Sequence, residues 1–291
     1  MGKSIFSKPL ISSGWLRAIL YIIALMLAAG ILIGVYIISR PTSHLNTQIL
    51  QSIQPDVVIL LLFTVSLLIT YVFRRWIDRK SFISLGFSTG GHFPDAAAGG
   101  MLAIFIIGAC SLILKGTEHL KWMDIIFDPK SLFLAFGTII LVAVSEELVF
   151  RGYILSNLMD SFPKWMALLI SALLYMIFHW SSAGFFPLLN TLILGMVLGL
   201  NYVYTRNLWF SICFHIGWKF LEGPVLGLVG NEYSQTLLQT DIHGDENITG
   251  GAYGLEGSAI LMIVSVLSLL ALFLFLQKKL NRQSLPVPDR I

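Results

Sequence analysis

Residues Val142 to Tyr153 read VAVSEELVFRGY and close an apolar run from Ser131 to Met159. A run of that length can cross a lipid bilayer as one helix, which takes about 20 residues. An ionisable side chain in such a helix costs about 2.5 to 3.5 kcal/mol on insertion scales, so Glu146, Glu147 and Arg151 require either a function or a partner. Successive helical residues differ by about 100° around the axis, so the two glutamates are not expected to face one point. Glu147 and Arg151 are four apart with the acid on the N-terminal side, the favoured order for an ion pair, and are expected to clamp each other. Glu146 is left without a partner on its own helix and is the candidate general base.

The rest of the chain fits a membrane setting. Of its 291 residues 56% are hydrophobic and 12% charged, which a water-soluble domain could not bury without exposing large apolar patches. The apolar runs are continuous rather than alternating, which excludes a β-barrel and leaves helices as the way to satisfy the backbone in lipid. The expected fold is all-α, a polytopic membrane protein of about eight transmembrane helices, near 18–39, 57–73, 95–114, 131–159, 165–180, 187–205, 208–226 and 258–277. We read residues 1–291 as a single integral membrane domain, with a motif-bearing core at about 131–226.

The net charge of +3 comes from bases that flank the apolar runs, so it reports topology and gives no ground for a nucleic-acid partner. Thirteen Lys and Arg fall on the side of both termini and four (Arg40, Lys115, Lys121 and Lys130) on the other, which places both termini in the cytoplasm of a multi-pass protein of the cell membrane. The first apolar stretch is too long for a signal-peptide core, and MGKSIF lacks the Ser or Thr of a myristoylation signal. Cys110 and Cys213 sit inside apolar runs, far from any CxxC spacing, and read as packing residues. The acidic stretch at about 227–257, with Glu232, Asp241, Asp245, Glu246 and Glu256, lacks calcium-loop spacing and reads as a solvated loop. GMVLG, Gly195 to Gly199, reads as a helix-packing face.

Further buried polar residues align with Glu146. Counting back 16 residues from Phe162 reaches Glu146 and counting forward 17 reaches His179, so an antiparallel hairpin sets both at nearly one depth. Ser171, Tyr175 and His179 lie on one face of the next span, and His215, Lys219 and Glu222 on one face of a later one. One glutamate and two histidines can bind zinc with an open position for water, through Glu146, His179 and His215, or can position water by hydrogen bonds with Glu146 as base. The HExxH signature is absent, and both readings stay open at this level.

EELVFR at Glu146 to Arg151, YMIFH at Tyr175 to His179 and HIGWK at His215 to Lys219 resemble the EExxxR, F/Y-xxx-H and H-xxx-N motifs of the type II CAAX prenyl protease and bacteriocin-processing group, the CPBP or Abi family of intramembrane proteases. The resemblance implies an eight-span helical fold with a cavity in the membrane. It implies hydrolysis of a peptide bond in a hydrophobic or membrane-associated peptide by water that Glu146 activates, with His179 and His215 orienting it or stabilising the oxyanion. Glu147, Arg151, Tyr175 and Lys219 would support them. Lys219 departs from the family's Asn: an ammonium can stabilise an oxyanion, or it can pair with Glu146 or Glu222. A base quenched in that way would leave a catalytically weak scaffold or bacteriocin-immunity protein that binds a hydrophobic peptide. A proton-coupled transporter would also place Glu, His and Lys in spans, but the paired repeats and broken helices of transporters are missing.

Overall fold

The computed structural model describes residues 8–39, 54–180, 184–229 and 236–283. Lys3, Arg40, Glu232 and Arg290 of the sequence reading, with the whole of MGKSIF, lie outside them.

The long helices begin where the apolar runs do. They are α1 (Gly14–Ile38), α2 (Pro55–Val72), α3 (Phe93–Gly116) and α4 (Pro129–Glu147), followed by α5 (Lys164–Phe178), α6 (Phe185–Thr205), α7 (Trp209–Phe220) and α8 (Ala259–Gln283). Pro stands in the first turn of α2, α3 and α4, where its missing N–H costs nothing. Asp128 caps α4 by accepting from the Lys130 and Ser131 amides, and the Ser131 hydroxyl and amide hold its carboxyl below the usual range.

Among the described residues six helices are long and apolar enough to cross a membrane, and their outward faces carry exposed aliphatics such as Ile23, Leu27 and Ile31 of α1. This is a helical, multi-pass membrane fold. The expected count of about eight is met only in part, because α5 has 15 residues and α7 has 12 before its hydrogen bonding changes register at Leu221–Val225. One feature departs from helices altogether: Leu120–Ile125 and Leu238–Ile242, both expected as loop, pair as an antiparallel ribbon. Lys121 faces Asp241 across it, an opposite-charge pair that favours this register.

Small residues let the helices close on one another. A Cβ on Gly99 would lie 2.1 Å from the Phe210 carbonyl oxygen, so α3 and α7 meet backbone to backbone. Gly195 and Gly199 set α6 against Ala172 and Leu168 of α5, which is the packing face read from GMVLG.

A buried charged cluster ties α1 to the ends of α2 and α4. Asp78 pairs with Arg17 at 3.1 Å and with Arg74 at 2.9 Å, and accepts from the Tyr153 hydroxyl at 3.1 Å. Replacing one member would strand the others in a low-dielectric interior. Asp78→Ala is therefore expected to cost about 3 to 5 kcal/mol, read as a lower melting temperature in detergent. Lys80→Ala, which loses only an exposed 3.5 Å contact to Asp160, is expected to cost under about 1 kcal/mol. Equal losses for the two variants would show that the cluster is not what joins these helices.

Candidate active site

The helix that begins at Pro129 does not stop at Glu147. It continues to Leu158, but through a π-helical stretch at Leu148–Leu155 whose eight residues are all buried. Each i→i+5 turn takes in an extra residue, and such stretches recur at functional sites. The two glutamates sit at its N-terminal edge.

Glu147 is fully buried and its Oε1 accepts from Arg151 Nη1 at 3.1 Å and from His215 Nδ1 at 3.0 Å. Arg151 also donates to the Gly195 carbonyl at 3.3 Å and lies 4.3 Å from the centre of the Tyr175 ring. The charge that α4 carries inward is thus matched by a base one turn on and by an imidazole from α7.

Glu146 is reached from three sides. Its Oε2 accepts from the Tyr175 hydroxyl at 3.2 Å and faces His179 Nε2 at 3.3 Å and His215 Nε2 at 3.9 Å. The tautomers follow from the other ring nitrogens. His179 Nδ1 contacts the Tyr175 carbonyl at 2.9 Å, and a carbonyl only accepts, so that nitrogen carries the hydrogen. His215 Nδ1 likewise donates to the Glu147 carboxylate. Both imidazoles therefore present Nε2 to Glu146. Helix α5 ends at Phe178, and His179 caps it with its ring turned back onto the last turn, which is why a short helix suffices to deliver it.

The side chains of His179, Glu146 and His215 are 31%, 18% and 4% exposed, so the site runs from an accessible mouth to a fixed floor. Two cavities meet it. One of about 340 Å³, lined by apolar residues of α1, α2, α4 and the π-helical stretch such as Leu25, Ile59, Val142 and Val149, has Glu146 in its wall. The other, of about 130 Å³, is bounded by Tyr175, His179, Thr191, Lys219, Tyr253 and Glu256.

Residues 128–221 match the family model described as type II CAAX prenyl endopeptidase Rce1-like. The match covers the segment on whose motifs the resemblance to CPBP proteins rests. The matched segment holds all three motifs and every site residue named from them. No curated protein and no solved structure matches the chain.

Three expectations need correction. The glutamates do meet at one group: His215 offers Nδ1 to Glu147 and Nε2 toward Glu146, so a single ring spans the angle that helical phase opens between them. Lys219 pairs with Glu256 at 2.7 Å, a partner outside the alternatives weighed from the sequence. Glu256 in turn is not part of a solvated loop but lines the polar cavity. No local signal marked it, since it stands 37 residues from Lys219 in an acidic stretch without a motif. Ser171 of the Tyr175 stripe donates to the Phe150 carbonyl and does not reach Glu146. Among the described residues no group of three His, Cys, Asp or Glu side chains is arranged to hold a metal ion.

Arg151→Ala would leave the Glu147 carboxylate buried with only His215 to meet it. The expected loss is about 3 to 5 kcal/mol, measured by thermal or denaturant unfolding in detergent. Unfolding indistinguishable from the parent protein would contradict a load shared between Arg151 and Glu147.

Proposed function

We propose that the protein is an intramembrane endopeptidase that hydrolyses a peptide bond in a hydrophobic or membrane-associated peptide. The observation that carries this reading is the convergence of two imidazole Nε2 atoms on one oxygen of Glu146. The 3.9 Å between His215 Nε2 and Glu146 Oε2 exceeds a hydrogen bond and suits one water held by both.

Glu146 takes a proton from that water as its oxygen attacks the scissile carbonyl carbon. The tetrahedral oxyanion is stabilised by the more exposed His179 on the cavity side, through Nε2–H in its protonated form. Glu146 then returns the proton to the leaving nitrogen as the C–N bond breaks, so hydroxide adds to the acyl fragment and hydrogen to the amine. Glu147 holds His215 in the required tautomer and orientation, the role a carboxylate plays behind a catalytic histidine. Tyr175 fixes the Glu146 carboxylate.

The apolar cavity of about 340 Å³ offers room for an apolar group next to the bond to be cut, and the polar cavity takes chain on the other side of Glu146. The domain extends over residues 1–291 with its catalytic core at about 131–226, crosses the cell membrane about eight times once α5 and α7 are counted, and keeps both termini in the cytoplasm.

Purified protein in detergent or nanodiscs, given a hydrophobic reporter peptide, tests this directly. Glu146→Ala is expected to lower kcat/KM by about 10²- to 10⁴-fold with the fold retained. Cleavage at the parental rate would remove Glu146 from the mechanism. Tyr175→Phe removes one hydrogen bond to a charged group, worth about 1.5 to 3 kcal/mol, and should reduce kcat about 10- to 100-fold. An unchanged kcat would show that the tyrosine does not position the base.

A further inference from the structure

The polar cavity is closed by a segment that shares no motif with the catalytic helices. Residues Gly251–Gly257 form two short 3₁₀ pieces joined by a kink at Gly254, between a single helical turn at Glu246–Thr249 and the start of α8. Gly250 and Gly254 have φ of +91° and +59°. A Cβ at Gly254 would stand 2.3 Å from the Leu228 carbonyl oxygen, so no other residue fits there without moving backbone.

The turn is fastened to the bundle at its base. Asn190 of α6, fully buried, donates to the Glu256 carbonyl at 2.7 Å and to the Ser258 carbonyl at 2.9 Å. Leu255 N–H donates to the Leu228 carbonyl at 3.1 Å. Thus secured, the turn projects Tyr253 and Glu256 into the cavity that His179 and Tyr175 border, and Glu256 Oε1 meets Lys219 Nζ at 2.7 Å.

We propose that Glu256 is a positioning residue of the site: it anchors the Lys219 ammonium against the Tyr253 turn and leaves Glu146 to the two imidazoles. This rests on the peptidase reading. Lys219 stands one helical turn after His215, and a second small cavity is lined by both residues. Lysine has a four-carbon stem and a mobile head, so an ammonium so close to the site has to be fixed by something other than its own geometry. Freed from Glu256, it would be drawn to the other carboxylates whose charge it feels, Glu222 and Glu146, and a Glu146 engaged by an ammonium no longer accepts a proton from water.

The test uses the full chain in nanodiscs. Glu256→Gln keeps the size of the side chain and removes its charge. It is expected to lower kcat about tenfold or more with KM within about twofold, because the loss is in the base and not in peptide binding. Adding Lys219→Asn to Glu256→Gln removes the freed ammonium and should restore most of the lost kcat, so the two changes are strongly non-additive. Parental activity in Glu256→Gln, or a double variant whose loss is the product of the two single losses, would overturn the proposal.

A readout independent of cleavage is the acylation of Lys219 by an amine-reactive reagent, followed by peptide mass spectrometry. Labelling should rise in Glu256→Gln and stay near the parental level in Glu256→Asp, and no rise in Glu256→Gln overturns the anchoring whatever the activity. If labelling rises while the parent protein cleaves no reporter, it is the peptidase reading that fails and the Lys219–Glu256 anchor that stands.

Discussion

A carboxylate placed in the middle of a membrane-spanning helix must be met by other polar groups, because hydrocarbon supplies none. Glu146 imposes that condition on three separate helices. α4 brings the acid, α5 has to end beside it with Tyr175 and His179, and α7 has to lay His215 against the same oxygen. The short α5 and the close contacts that Gly195 and Gly199 permit between α5 and α6 are the packing by which this is achieved.

Two tiers of charge surround that point. The inner one, Glu146 with His179, is partly exposed. The outer one, Arg151 with Glu147 and His215, is almost wholly buried and has every reason to stay fixed. Breaking a buried pair is strongly destabilising even where the intact pair contributes little net stability, so such groups suit orientation better than stabilisation. The Arg17, Arg74 and Asp78 cluster follows the same logic at the far end of the long α4 helix, where Tyr153 of the π-helical stretch joins it. A single continuous helix therefore reaches from the charged cluster to the site.

Much of this could be read from residue spacing alone. Nearly equal counts on either side of Phe162 set Glu146 and His179 at nearly one depth, and they meet at 3.3 Å. The i,i+4 spacing of Glu147 and Arg151 anticipated a contact that the structure shows at 3.1 Å. What spacing could not show was contact across long sequence separations. His215 reaching Glu147 spans 68 residues, and Lys219 finding Glu256 spans 37 through an acidic stretch that reads as solvated. Nor did hydropathy mark the π-helical register at Leu148–Leu155 or the ribbon of Leu120–Ile125 with Leu238–Ile242, since both depend on hydrogen bonds rather than on apolar content.

The segment that matches the type II CAAX prenyl endopeptidase Rce1-like family model, residues 128–221, holds Glu146, His179 and His215. The central claim is geometric, and a structure of the protein in lipid nanodiscs at side-chain resolution tests it most directly. The account expects His179 Nε2 and His215 Nε2 both within about 4 Å of one Glu146 oxygen, as the 3.3 Å and 3.9 Å separations here require. Imidazoles turned toward different helices, with Glu146 paired instead to Lys219, would contradict it.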